Sequence, residues 1–253
     1  MRVAAIYDIH GNLPALEAVL EEIEDEGVDC IVVGGDVIAG PMPGETLSVL
    51  QEITIPTHFL HGNAESELLR YLAGKDPQAL SERAAGEAYW GAENLSDEHK
   101  AFLSEWPATC ELQIEGYGNV LFCHATPNSD IKVFTKDTPE TKLAGIFERH
   151  KAPLVVCGHT HMQFDRTIED VRVVNAGSVG MPFGHTGADW LLIADEIEFR
   201  HTDYDISKAA EKIRQSNYAH AENFVENNVL SAPTKEQARK MLSQLEALQA
   251  DKE

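Results

Sequence analysis

Short apolar runs rich in β-branched residues alternate, along the first third of the chain, with stretches whose apolar residues recur every three or four positions. Three such runs there, Val3 to Tyr7, Cys30 to Val33 and Ile55 to Leu60, and two later ones, Val120 to Cys123 and Leu154 to Cys157, have the length and composition of buried strands. After the first run, Leu13, Leu16, Val19, Leu20 and Ile23 fall on one face of a helix. Asn12 is placed to cap that helix, Pro14 lies in its first turn and Gly27 ends it. A second helix is predicted from about Gly44 to Ile53, with Leu47, Val49, Leu50 and Ile53 inward. The β-α-β-α-β order predicts a parallel sheet with right-handed crossovers.

Residues 64 to 106 change character to polar and helical: Leu68, Leu69, Tyr71 and Leu72, then Ala84 to Trp90, then a capped helix from Ser96 to Trp106. This insertion either walls a pocket or covers a sheet edge. Thr109 to Ile114 and Asn119 to Phe122 read as a hairpin turned at Gly116-Tyr117-Gly118. A helix is expected near Pro139 to His150, and alternating strands at Gln163 to Ile168, Val171 to Asn175, Asp189 to Ala194 and Glu196 to Asp203. From Ser207 the pattern is helical again, over Ser207 to Ser216, Tyr218 to Asn227 and Thr234 to Ala250. We therefore expect a main domain over 1–205, with its insertion at about 64–106, and a helical C-terminal extension over 206–253 packed on it. The stripe Met241, Leu242, Leu245 and Leu248 makes a homodimer the alternative.

Composition narrows the setting. A chain of 253 residues can bury a full α/β core, and 43% hydrophobic with 25% charged residues is ordinary for a globular protein. No apolar run reaches the ~20 residues of a membrane span, and the first strand begins where a signal peptide would lie. Cys30, Cys110, Cys123 and Cys157 form no C-x-x-C pair, so buried free thiols are expected. Together these predict a cytoplasmic protein. The net charge of −22, from 42 acidic and 20 basic residues, disfavours nucleic-acid binding. A small anionic substrate stays open if a bound cation reverses the local sign.

The candidate chemistry lies where the strands end. Asp8-Ile9-His10, Gly35-Asp36, Gly62-Asn63, His124 and Gly158-His159-Thr160-His161 each follow one of the five runs, and strand ends in an open α/β sheet converge on one edge. Carboxylate, imidazole and amide donors suit Mn, Fe, Co, Ni or Zn, and no motif thiolate points to a structural cysteine site. Seven donors are too many for one tetrahedral ion. They suffice for two divalent ions if one carboxylate bridges, and two such ions form a clamp for phosphate esters. Singly, His124 reads as a polar loop residue, and Asp36 and Gly62-Asn63 as turn formers; it is the ordered set of five that carries the inference.

In that order the motifs resemble the calcineurin-like metallophosphoesterase superfamily, from residue 1 to about 205. The resemblance implies a four-layer α/β/β/α sandwich of two mixed sheets flanked by helices. It implies that Asp8, His10 and His161 hold one metal, that Asn63, His124 and His159 hold the other, and that Asp36 bridges them. Asp36, Asn63 and His124 would act in catalysis, with a metal-bridging hydroxide attacking a small phosphate ester. Many members carry a histidine after the Gly-Asn pair, which protonates the leaving group; here the residue is Ala64. General-acid help is typically worth ~10²- to 10⁴-fold, so poor leaving groups should suffer most. Asp8 to Asn12 and the loop Asn175 to Gly180 resemble a small bacterial and archaeal branch that acts on phosphodiesters, which favours a diester. Glu65 and His185 are candidate replacement donors, and Asn12 is a substrate-contact candidate besides its capping role. His58, His61, His99, His150, His201 and His220 receive no site role. A catalytically weak phosphate-binding or regulatory protein is the rival reading.

Overall fold

Strand β1 (Val3–Ile6) is buried along its whole length, as an unbroken apolar run requires of a strand covered on both faces. It pairs in parallel with β2 (Cys30–Val33), and β2 with β3 (Thr57–Phe59). Helices α1 (Leu13–Glu26) and α2 (Pro43–Glu52) make the crossovers. On the other side of β1, antiparallel β9 (Ala188–Ile193) carries β10 (Ile197–Thr202). The sheet order is β10-β9-β1-β2-β3. The structure, a computed structural model, describes residues 1–76, 82–147 and 151–250.

A second five-stranded sheet begins with the hairpin of β4 (Thr109–Ile114) and β5 (Gly118–Cys123). It continues through β6 (Leu154–Cys157) and β8 (Val171–Asn175), both parallel to their inner neighbour, to antiparallel β7 (Phe164–Ile168). Both sheets are therefore mixed. Side-chain alternation sorts the layers. Ala4 and Ile6 face the helices with Leu16, Val19 and Leu47, while Val3, Ala5 and Tyr7 meet Val120, Phe122 and Val156 between the sheets. Beyond the second sheet, Leu121, Val155 and Val173 lie under Phe134, Leu143 and Phe147. Cys123 and Cys157 join this outer cluster, and all four cysteines are free thiols.

That outer layer differs from expectation. In place of the helix predicted near Pro139 to His150, the described residues form one 3-10 turn, Glu140–Lys142, and further turns to Phe147. Gly145 adopts φ +70°, a left-handed conformation that breaks a helix, and its N–H turns to the Glu169 carboxylate. Residues 148 to 150, and with them His150, lie outside the described residues. Helix α8 (Lys235–Ala250) packs its Ala238 and Leu242 on Val133 and Phe183, in a small cluster beside that layer. The Gln249 amide bonds the backbone of Ile131 and Val133.

The insertion forms α3 (Asn63–Leu72), α4 (Glu82–Asn94) and α5 (Asp97–Ser104). Helix α5 and the segment after it cover the edge at β3, where Phe59 stacks on Trp106 at 5.0 Å and meets Phe102 edge-on. Residues 77 to 81, inside the insertion, are outside the described residues. Helices α6 (Ile206–Arg214) and α7 (Ala221–Phe224), with the π turn Val225–Val229, pack on Leu13 and Met42. Among the described residues, no helix is long and apolar enough to cross a membrane.

Candidate metal centre

Strands β1, β2, β5 and β6 end on one edge and deliver their motif side chains into two groups. Asp8, His10 and His161 form one, and Asp36, His124 and His159 the other; within each group the donor atoms lie within 4.8 Å of one another. In the first, His10 Nε2 and His161 Nε2 are 3.1 Å apart and Asp8 Oδ1 lies 3.4 Å from His161 Nε2. His124 Nε2 links the groups, 3.5 Å from Asp36 Oδ1 and 3.9 Å from Asp8 Oδ1. Asn63 follows β3 at the start of α3.

Hydrogen bonds to the far side of the rings fix which nitrogen faces inward. His10 Nδ1 lies 3.0 Å from Ala39 O, His124 Nδ1 2.9 Å from Gly34 O and His161 Nδ1 3.1 Å from Met181 O. A carbonyl can only accept, so each Nδ1 carries a hydrogen and each Nε2 of a neutral ring presents a lone pair. This outer carbonyl is the usual partner of a metal-bound imidazole. His10 and His161 then aim lone pairs at each other, an arrangement that a shared cation stabilises and a hydrogen bond cannot. Asp8 Oδ1, Asn63 Oδ1, His124 Nε2 and His159 Nε2 are buried and have no hydrogen-bond partner within the protein. An unsatisfied buried polar atom typically costs ~1–3 kcal/mol, and four meet here. The donor set fits divalent ions with nitrogen and oxygen ligands.

Electrostatics separate the groups. Burial lowers the pKa of His10 to about 3, with His161 adding to the shift. Burial likewise takes His159 to about 3, aided by His124. Burial alone would raise Asp8, yet the His161, His124 and His10 rings overcome it and lower its pKa. Asp36 moves the other way, up to about 7: burial dominates, His124 opposes it, and Glu65 and Asp8 add to it. Burial would lower His124, but the Asp36 and Asp8 carboxylates reverse this and raise it. In the metal-free chain the two shifts favour the protonated forms of Asp36 and of His124.

The surrounding backbone holds this geometry under strain. Asp8, His10, Asp36, His159 and His161 have φ between +51° and +68°, a region that non-glycine residues rarely enter. The glycines of the motifs permit close approach. A Cβ on Gly62 would sit 2.4 Å from Asp36 Oδ1, and one on Gly158 2.5 Å from Asp8 Oδ2. Ser178 Oγ donates to Asp8 O at 2.7 Å and accepts from Met181 N at 2.8 Å. Asn175 donates to Gly158 O at 2.6 Å.

Glu65 corrects one expectation. It is fully buried, and its carboxylate accepts from the backbone N–H groups of Asp36, Val37, Ile38 and Gly62 at 2.8 to 3.2 Å. Its oxygens are engaged as acceptors, so it positions the Asp36 loop and is no donor to a leaving group. The signal was present in sequence: Glu65 stands three residues after Gly62, the spacing of a capping carboxylate. Ala64 bonds Asp36 Oδ1 through its backbone N–H at 2.8 Å, and its methyl offers no proton.

Asn12 is also corrected as a substrate contact. It is fully buried, accepts from Ala15 N at the start of α1, and donates to Gly180 O and Tyr204 Oη. Its amide ties two loops together and leaves no surface for a substrate. His185 sits 2.9 Å from Asp189 Oδ1, in a third group with Asp189 and His201 rather than in either ligand group.

Residues 1–195 match the model of the calcineurin-like phosphoesterase superfamily domain. An uncharacterised protein of Methanocaldococcus jannaschii is 28% identical over 234 residues, which span 83% of this chain and 91% of that protein. A metallophosphoesterase from Sphaerobacter thermophilus superposes with TM-score 0.68 at 25% identity, over 89% of this chain and 97% of its own. A hypothetical protein from Pyrococcus horikoshii OT3 shares the fold, with TM-score 0.72 at 21% identity over 84% and 92% of the two chains.

Proposed function

The chain belongs to the calcineurin-like phosphoesterase superfamily, and on that premise we propose that it hydrolyses a phosphodiester at a centre of two divalent ions. Asp8, His10 and His161 would hold one ion, Asn63, His124 and His159 the other, and Asp36 would bridge. The observation that carries the proposal is the convergence of unpartnered donor atoms, with His10 Nε2 and His161 Nε2 facing each other at 3.1 Å. Ions bound there, whether Mn, Fe, Co, Ni or Zn, supply a nucleophile from water near neutral pH and positive charge at the phosphoryl oxygens.

The chain's own residues fix the rest. Asp36, held by Glu65 through its backbone N–H and by Ala64 through its carboxylate, keeps the two halves at one separation. The outer carbonyls of Ala39, Gly34 and Met181 hold the imidazoles in the tautomer that binds metal. Ala64 supports the diester preference, because a monoester with an alkoxide leaving group most needs the proton that a histidine at this position would give.

Turnover of a nitrophenyl phosphate monoester and the matching diester, with Mn²⁺, Ni²⁺ or Mg²⁺ and with chelator, tests this. Metal-dependent turnover, faster for the diester, is expected. Faster monoester turnover contradicts the substrate preference. A protein that binds its ions and hydrolyses neither ester is instead a phosphate-binding or regulatory member of the family. Ala64→His should raise turnover of alkyl monoesters, and an unchanged rate would remove the argument from the missing donor.

A further inference from the structure

We infer that His185, Asp189 and His201 form a separate divalent-cation site that fastens the loop between β8 and β9 to strand β10. The three residues come from a loop and two strands. Asp189 and His201 are cross-strand partners in the β9–β10 register, and His185 lies four residues before Asp189. Asp189 Oδ1 is 2.9 Å from His185 Nε2 and 2.8 Å from His201 Nδ1, and the two rings stand 4.4 Å apart.

These separations are shorter than those of the interior centre, where donor pairs of the Asp8 group lie between 3.1 and 3.9 Å. Nitrogen and oxygen ligands sit ~2.0–2.2 Å from such an ion, which puts neighbouring donors roughly 3–3.5 Å apart, so the imidazoles need part from the carboxylate by only a few tenths of an ångström to admit one. The backbone makes room for the group. Gly187, at φ +107°, would place a Cβ 2.5 Å from His201 Cε1, and a Cβ on Gly177 would come within 2.7 Å of Asp189 Cβ. The Asp189 side chain is 3% exposed, and its ion-pair partners are the two imidazoles, themselves 41% and 35% exposed. Neighbouring Arg200 is committed to Glu22, Glu26 and Glu198. A buried carboxylate flanked by two solvent-accessible imidazoles leaves one side open to water, and two histidines with a carboxylate suit Zn²⁺, Ni²⁺ or Co²⁺.

The site bears on the interior centre through the loop it fastens. Asp189 N donates to Ser178 O at 2.9 Å, and Ser178 Oγ in turn donates to Asp8 O. The same loop supplies Met181 O to His161 Nδ1 and sets the Phe183 ring 5.2 Å from the His161 ring. A cation at the loop's far end therefore acts on the orientation of His161 without touching the substrate.

The test is the metal content of the whole protein by mass spectrometry, after equilibration with micromolar Zn²⁺ or Ni²⁺ and gel filtration. His185→Ala/His201→Ala should hold one ion per chain fewer than wild type. Loss of one ion supports the site whatever number remains, so the count at the interior centre is judged separately. Equal content in wild type and variant overturns the site and leaves a carboxylate with two hydrogen-bonded imidazoles. His185→Ala alone, at an exposed loop position, should lose the same ion with no change of fold by circular dichroism. Asp189→Asn should lose it too, along with part of the rise in melting temperature that Zn²⁺ gives wild type.

Discussion

The two halves of the interior centre use the same side-chain types and hold their protons differently. Around Asp8, burial lowers His10 to about 3, while the neighbouring imidazoles, His161 foremost, outweigh burial and lower the carboxylate. Around Asp36, burial raises the carboxylate to about 7, and the Asp36 and Asp8 carboxylates raise His124 beside it. The cause is the neighbourhood: Asp8 faces imidazoles, whereas Asp36 faces Glu65 and Asp8 as well as one ring. The shifts favour the ionised carboxylate in one half and the protonated carboxyl in the other.

The largest effect is expected from Asp36→Asn, the change that strikes both halves. Even the outer partners of metal ligands typically matter by 10- to 100-fold, so loss of the carboxylate proposed to bridge should cost more than ~100-fold in turnover. Steady-state kinetics with metal analysis would show it, and near-normal turnover would refute bridging. His10→Ala and His159→Ala then separate the halves. Each should lower the metal content by about one ion per chain, and loss of both ions from either variant would mean the halves do not bind independently.

Glu65→Gln should weaken metal binding at the Asp36 half by roughly 10- to 100-fold, because an amide NH₂ would face backbone N–H groups where a carboxylate oxygen now accepts. Competition with a chromophoric chelator would measure the change; equal weakening at the Asp8 half would make the effect a general loosening of the fold. The smallest effect concerns pH. Below about 7 the Asp36 carboxyl must lose its proton as metal enters, so affinity at that half should rise about tenfold per pH unit towards neutrality and level off above it. The half with neutral His10 should respond far less. Titration calorimetry at pH 6 in buffers of different ionisation enthalpy would register the released proton, and its absence would break the distinction.

Much of this was legible in the sequence, for physical reasons that also mark where legibility ended. Parallel strands separated by helices bring their C-terminal ends to one edge, so motif order alone could group Asp8, Asp36, His124, His159 and His161. Backbone conformation was hidden: left-handed φ at five candidate ligand positions has no counterpart in side-chain propensity. Glu65 was visible as a carboxylate near the site, yet the four N–H groups it binds depend on how the β2 loop folds onto α3. The Asn12 cap, read from local spacing, is present, while its bonds to Gly180 and Tyr204 needed the tertiary structure. His201 carried no motif, and only the β9–β10 register placed it against Asp189. The pattern near 139 to 150 predicts a helix across Gly145, whose left-handed φ and bond to Glu169 explain the turn found there.

Anomalous diffraction from crystals grown with Mn²⁺ tests the binuclear centre most directly. Two interior peaks roughly 3.5–4 Å apart are predicted, one against Asp8, His10 and His161, the other against Asn63, His124 and His159, with Asp36 touching both. A single peak, or a pair that Asp36 does not join, would contradict it.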